Sequence, residues 1–215
     1  MNILVTGGAG YIGSHTLIEL IAAGHSPIVV DSLVNSSKES LNRVEQITET
    51  KIPFYELDLR DKEKLNEVFN AHTIDSVIHF AGLKSVGESV AKPLEYYDGN
   101  IGSTLVLLEV MKEHGVDKIV FSSSATVYGT PEELPLSETS RTGFGITNPY
   151  GQTKYMIEQI LTDVSIANPD WHITILRYFN QSAPTKAALL ANTQTAFQTT
   201  SSPTSAKSLL ESVNS

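Results

Sequence analysis

Along the first 180 residues, short apolar runs alternate with amphipathic stretches. Residues 3–6, 28–30, 54–57, 76–80, 118–121 and 173–176 are a few positions each, rich in Val, Ile, Leu and Phe. Such continuous apolar runs mark strands buried on both faces. Between them, residues 12–23, 38–47, 62–69, 94–113 and 149–167 carry apolar side chains at helical spacing. Ile12, Thr16, Leu17, Leu20 and Ile21 form one stripe, and Leu41, Val44 and Ile47 another. Pro93 opens the long stretch 94–113, at the position where proline suits a first helical turn. Strand and helix in alternation predict right-handed βαβ units. The fold class expected is α/β, a Rossmann-type doubly wound parallel sheet with helices on both faces.

The rhythm stops after Asn180. Residues 181–215 hold seven Ser, six Thr and six Ala, no Gly, and Glu211 as their one acid. A short helical turn over 187–191 is the most that this segment predicts; the rest reads as loop or disorder. The division expected is a nucleotide-binding domain over 1–180 and a separate tail over 181–215.

Composition narrows the function classes. The 215 residues carry a net charge of −9 and 40% hydrophobic residues, which suits a packed core and not a phosphate-backbone binder. Nucleic acid is therefore not expected as a partner. There is no cysteine, so disulfides and thiolate metal sites are excluded. The six histidines are scattered and predict no metal site. No apolar run approaches the roughly 20 residues of a membrane span, and Met1-Asn2 lacks the basic start of a signal peptide. A soluble, cytoplasmic protein without membrane partners is expected.

Gly7, Gly10 and Gly13 follow the first strand and open a helix. Glycines at this spacing alone mark only a turn. In the strand-to-helix setting, the first permits the turn, the second lets backbone approach a pyrophosphate, and the third lets helix and strand pack closely. The helix start offers free N–H groups to phosphate. Asp31 ends the second strand, about 20 residues on, where a carboxylate accepts from ribose hydroxyls and repels a 2′-phosphate. The cofactor expected is NAD. Asp58, ending the third strand, has two readings: a contact to the adenine edge, or a cap for the helix at Lys62.

Tyr150 and Lys154 lie four residues apart on a predicted helix and share a face. A phenol is protonated at neutral pH, and a neighbouring ammonium and a nicotinamide cation favour its phenolate. Tyr150 is then a general base for a hydroxyl that loses hydride to NAD, and Ser124, beyond the fifth strand, is placed to hold the same oxygen. Taken alone, the pair is an ordinary helix-surface contact. His79 and Trp171 read as packing residues, Glu109 with Lys112 as a solvated helix pair, and Tyr96 and Tyr97 either as cofactor cover or as packing.

The runs Thr6-Gly7-Gly8-Ala9-Gly10-Tyr11-Ile12-Gly13-Ser14-His15, His79-Phe80-Ala81-Gly82-Leu83-Lys84, Glu88-Ser89-Val90, Lys92-Pro93-Leu94-Glu95-Tyr96-Tyr97, Ser122-Ser123-Ser124-Ala125-Thr126-Val127-Tyr128-Gly129 and Leu176-Arg177-Tyr178-Phe179-Asn180 resemble the UDP-glucose 4-epimerase family, of the extended short-chain dehydrogenase/reductase class. The resemblance spans residues 1–180. It implies tightly bound NAD and a 4-keto sugar intermediate, with UDP-glucose and UDP-galactose interconverted in galactose metabolism. It implies cofactor contacts from Tyr11, Ile12, Asp31, Asn35, Ser36, Asp58, Leu59, Phe80, Ala81, Lys84 and Ser122, beside the glycines. Tyr150 is implied as base, Lys154 as the group that holds the nicotinamide ribose and tunes Tyr150, and Ser124 as the group that orients the sugar 4-oxygen. Lys84, Ser124, Tyr150 and Asn180 are implied on the UDP-sugar. A homodimer through helices 94–113 and 149–167 is implied as the assembly. Ala125-Thr126 after Ser124 offers no carboxylate, which favours epimerisation over dehydration. The alternatives are a non-catalytic NAD-binding module and another UDP-sugar epimerase or reductase of the class.

The sequence departs from that pattern at two internal places and in the tail. Gly99 stands where the family carries an amide, with Asn100 as the candidate substitute, and Ile101-Gly102-Ser103-Thr104 replaces Val-Asn-Gly-Thr. Both departures are expected to weaken cofactor retention. Beyond Asn180 the family continues Pro-Val-Gly-Ala-His, whereas this chain reads Gln181-Ser182-Ala183-Pro184-Thr185. One C prefixed to the back-translated tail permits the family's residues. The expectation is a single-base frameshift after codon 180, a chain missing most of the C-terminal substrate domain, marginal stability and little activity.

Overall fold

The computed structural model describes residues 1–179; the expected turn over 187–191, the tail and Asn180 lie outside the described residues. Six strands form one parallel sheet: β1 (Asn2–Thr6), β2 (Ser26–Asp31), β3 (Phe54–Glu56), β4 (Ser76–His79), β5 (Lys118–Ser124) and β6 (His172–Tyr178), in the order β3-β2-β1-β4-β5-β6. The strand order reverses between β1 and β4, the place where a sheet of this kind opens a crevice at its carboxyl edge.

Alternate side chains of each strand serve opposite faces. Leu4, Ile28, Val30, Val77, Ile119 and Phe121 meet α3 (Lys62–Ala71), α6 (Ser103–Glu113) and α7 (Pro149–Ala167) through Leu65, Phe69, Leu107, Met111 and Ile157. Ile3, Val5, Val29, Ile78 and Val120 meet α1 (Tyr11–Ala22) and α2 (Lys38–Thr48) through Leu17, Leu20, Leu41 and Val44. Two covered faces explain why the strands read as unbroken apolar runs. Trp171 packs against the first cluster, as expected of it.

The helix starts are locally encoded. Asn148 accepts from the Gly151 N–H at 2.8 Å ahead of Pro149, so α7 begins where the sequence predicts it. The cap of α3 is Asp61, whose carboxylate accepts from the Lys64 N–H at 3.2 Å, so the capping reading of Asp58 is corrected. The helix expected over 94–113 is present without a break, but a π-helical stretch replaces its α-helical hydrogen bonding part-way along. The chain forms α4 (Val86–Ala91), α5 (Pro93–Tyr97), a π-helical stretch Asp98–Gly102 and then α6. A π stretch keeps the helical direction and spans a single turn, too short for side-chain periodicity to mark. The solvated pair expected between Glu109 and Lys112 is replaced by Glu109 with Lys62 of α3, at 3.0 Å.

Candidate active site

A cavity of ≈ 570 Å³ opens at the carboxyl edge of the sheet, over the reversal between β1 and β4. Its floor is the turn from β1 into α1. Gly7 has φ +69°, and a Cβ there would sit 2.7 Å from the Ala81 nitrogen. A Cβ on Gly13 would sit 2.5 Å from the Gly7 carbonyl oxygen, so the close packing expected of the third glycine is met by backbone on backbone. Gly10 is the N-cap of α1, and Tyr11, Ile12 and Gly13 after it line the cavity. The first-turn N–H groups of a helix lack intrahelical acceptors, so this turn presents donors and positive dipole to an anion.

At one end stands Asp31, 7% exposed. One carboxylate oxygen accepts from the Ala9 N–H at 3.0 Å, and the other from the Leu33 N–H at 2.9 Å and the Ser36 hydroxyl at 2.8 Å. Asp31 thus fixes the glycine turn and the segment after β2 while it borders the cavity. Asn35 borders it too; Ser36 stands behind Asp31. Asp58 and Leu59 line the same end, with Arg60 clasping Asp58 (2.5 Å) and also pairing with Asp98 of the π-helical stretch. Arg60 and Asp98 were not legible as site residues, because 38 positions separate them.

Phe80, Ala81 and Lys84 line the middle, after β4. Burial pulls the Lys84 ammonium below its ordinary range, with the Asp31 charge opposing. Asn100 does not replace an amide at position 99. Its side chain accepts from the Leu83 N–H at 2.7 Å and donates to the Leu83 carbonyl and the Thr153 hydroxyl, both at 3.0 Å, pinning this loop to α7. Gly99 itself borders the cavity.

The opposite end gathers Ser122, Ser124, Tyr150 and Lys154, with Tyr178 and Phe179. Ser124 caps the 3₁₀ turn Ala125–Tyr128, accepting from the Thr126 N–H at 3.3 Å. Burial raises the Tyr150 phenol above its ordinary value, and the facing Ser124 hydroxyl opposes this. Lys154 donates to the Ser122 carbonyl at 2.7 Å and lies 4.7 Å from the Phe121 ring centroid but 6.0 Å from that of Tyr150. Burial pulls it down to about 8, with Glu158 opposing. Burial thus favours the neutral phenol, opposite in direction to the pull expected from the ammonium and the nicotinamide cation together. The Tyr178 hydroxyl, missed as a site group, is buried at this end with no hydrogen-bond partner among the described residues.

His79 is structural, as expected. Its ring nitrogens meet the hydroxyls of Thr6 (2.7 Å) and Thr104 (3.0 Å), and burial pushes its pKa down to about 3. Tyr96 is packing: its hydroxyl accepts from the Ser85 N–H at 3.0 Å and donates to Glu88 at 3.0 Å.

The family model for the NAD dependent epimerase/dehydratase family matches residues 3–209. The chain belongs to this family. The UDP-glucose 4-epimerase of Bacillus subtilis (strain 168) is 58% identical over 180 residues, which are 84% of this chain and 52% of that protein. The crystal structure of UDP-glucose 4-epimerase from Bifidobacterium longum, in complex with NAD+ and UDP, superposes with a TM-score of 0.85 at 58% identity, over 88% of this chain and 56% of that one. The Stenotrophomonas maltophila UDP-glucose 4-epimerase, with bound NAD and formylated UDP-arabinopyranose, superposes with a TM-score of 0.83 at 46% identity, over the same shares. The chain spans about half the length of the curated relatives it matches. The parallel Rossmann-type fold expected from the sequence is the fold of these relatives.

Proposed function

We propose that the cavity binds NAD and that the chain carries the catalytic half of a UDP-glucose 4-epimerase, an isomerase of nucleotide sugars. The observation that carries this reading is the placement of Tyr150, Lys154 and Ser124 at one end of a cavity whose floor is the glycine turn and whose other end is Asp31. The residues suit the dinucleotide. The N-terminus of α1 faces the cavity without a side-chain cap, the Asp31 carboxylate borders it, and the buried Tyr178 hydroxyl has no partner among the described residues.

When bound, NAD supplies an acceptor and then a donor of hydride. The residues do the rest. The first turn of α1, at Tyr11 and Ile12, meets the pyrophosphate; Asp31, with Asn35 nearby, takes the ribose hydroxyls, and Asp58 and Leu59 border the adenine. Phe80, Ala81, Lys84 and Ser122 close the remaining wall. Tyr150 takes the proton of the sugar 4-hydroxyl and later returns it, and Ser124 holds that oxygen. Lys154, held by the Ser122 carbonyl at the same end of the cavity, would hold the nicotinamide ribose and, with the nicotinamide cation, favour the ionised form of Tyr150. Lys84 reaches the UDP-sugar, a role the resemblance gives also to Asn180, which lies outside the described residues.

Among the described residues, Lys84, Ser124 and Tyr150 are the proposed sugar-nucleotide contacts. Remote contacts to UDP position the sugar for the reacting end. The role belongs to galactose metabolism in the cytoplasm, with pairing of two copies along α6 and α7; among the described residues no helix is long and apolar enough to cross a membrane. Turnover of UDP-galactose to UDP-glucose by the chain with NAD, lost in Tyr150→Phe, supports the reading. Turnover equal in Tyr150→Phe contradicts it.

A further inference from the structure

Behind the reacting end lies a buried charge network that the proposed chemistry does not use. Glu158 is on α7, one turn beyond Lys154, and is 3% exposed. One carboxylate oxygen accepts from the Ser123 hydroxyl at 2.5 Å and from Arg177 Nε at 3.1 Å; the other accepts from Arg177 Nη2 at 2.9 Å. Ser123 and Arg177 are register partners on β5 and β6, so both turn to the same face, against α7. Arg177 Nη1 donates to the Tyr128 hydroxyl (3.1 Å) and the Glu138 carbonyl (3.2 Å), which ties in the segment after β5.

The two partners of Glu158 have different consequences. Arg177 neutralises a carboxylate that would otherwise be buried unpaired, so this contact governs stability. Ser123 lies between Ser122, whose carbonyl accepts from Lys154, and Ser124, whose hydroxyl faces Tyr150. A fixed Ser123 fixes both neighbours relative to α7.

Resting on the site reading above, we propose that Glu158 is a positioning residue: through its hydrogen bond from Ser123 it sets the Ser122 carbonyl and the Ser124 hydroxyl against Lys154 and Tyr150. Charge pairing alone does not require the Ser123 bond, because the fork to Arg177 already satisfies both oxygens.

Two variants separate the roles. Ser123→Ala keeps the Glu158–Arg177 pair and removes the link. Glu158→Gln keeps an acceptor for Ser123 and removes the charge facing Arg177. The expected result is a thermal midpoint near wild type in Ser123→Ala, with kcat lowered roughly tenfold at unchanged KM, since small misplacements at a reacting centre cost factors of this size. Glu158→Gln is expected to lose more stability but less kcat than Ser123→Ala. In the chain without ligand, amide exchange at Ser124 and Ala125 is expected to quicken in Ser123→Ala while β1 and β4 stay as protected as in wild type. Wild-type kcat in Ser123→Ala, or unchanged exchange there, overturns the proposal. The exchange experiment needs no ligand, so this inference stands or falls there by itself, whereas a folded wild-type chain that binds no NAD contradicts the site reading.

Discussion

Lys154 donates to the carbonyl oxygen of Ser122 at 2.7 Å, and its ammonium stands 6.0 Å from the ring centroid of Tyr150. The cation is buried beside a strand carbonyl and an aromatic ring, a placement that costs folding free energy. Its pKa falls to about 8 in the fold from an ordinary 10.5. The unfolded chain therefore binds this proton more tightly. The penalty is full below about pH 8 and fades as pH rises to about 10.5, so stability gains about 1.4 kcal/mol per pH unit across that window from this group. Lys154→Met removes the buried charge. We predict a thermal midpoint at pH 7 equal to or above wild type, loss of the rise above pH 8, and no epimerisation. Calorimetric unfolding at pH 7, 8 and 9 checks the first two, and an epimerase assay the third.

His79 gives the opposite end of the pH scale its slope. The imidazole titrates near 3 in the fold and near 6.5 in the unfolded chain. The unfolded state takes up the proton first, so stability is lost as pH falls from about 6.5 toward 3, by about 1.4 kcal/mol per unit. Between pH 6.5 and 5 that amounts to about 2 kcal/mol from this residue. Urea unfolding of wild type and His79→Asn at the two pH values checks it: the variant is less stable at pH 6.5, and its loss on acidification is smaller.

The two glycines of the turn into α1 separate folding from binding. A Cβ at Gly13 lands 2.5 Å from backbone oxygen and 2.7 Å from the Gly8 Cα, atoms that cannot swing aside. Gly13→Ala is predicted to cost about 1–3 kcal/mol or more, as overpacking does. At Gly10 the one near atom is the Gly7 oxygen, at 3.2 Å. Gly10→Ala is predicted to cost under about 1 kcal/mol, the scale of an N-cap change, while crowding the cavity floor and weakening NAD at least tenfold. Urea unfolding and cofactor titration of both variants measure the split.

Asp31 predicts cofactor choice. Its carboxylate accepts three hydrogen bonds from its own chain and still borders the cavity. A 2′-phosphate brought to it meets like charge, so NAD is predicted to bind at least tenfold more tightly than NADP, a difference of about 1.4 kcal/mol or more. Asp31→Asn narrows that gap and also lowers stability by about 1–2 kcal/mol, since one acceptor becomes a donor facing N–H groups. Competitive titration of the two cofactors on both proteins reads the change.

Much of this was legible in the chain because it is local. The six strands, the glycine turn, Asp31 and the Tyr150–Lys154 spacing are short patterns whose partners are fixed by helical or strand period. What escaped is what tertiary register creates. Glu158 and Arg177 are 19 residues apart and meet only because β6 pairs with β5 and α7 covers both. Arg60 meets Asp98 only through the π-helical stretch, which side-chain periodicity does not mark. The capping reading of Asp58 failed because Asp61, three residues on, carries the same carboxylate and stands directly before Lys62.

The central claim is that the cavity between Asp31 and Tyr150 is a nicotinamide dinucleotide site. Calorimetric titration of the purified chain with NAD, at neutral pH and on protein shown by circular dichroism to be folded, tests it most directly. The prediction is saturable binding of one NAD per cavity, competed weakly by NADP. A folded chain that shows no saturable heat with NAD contradicts it.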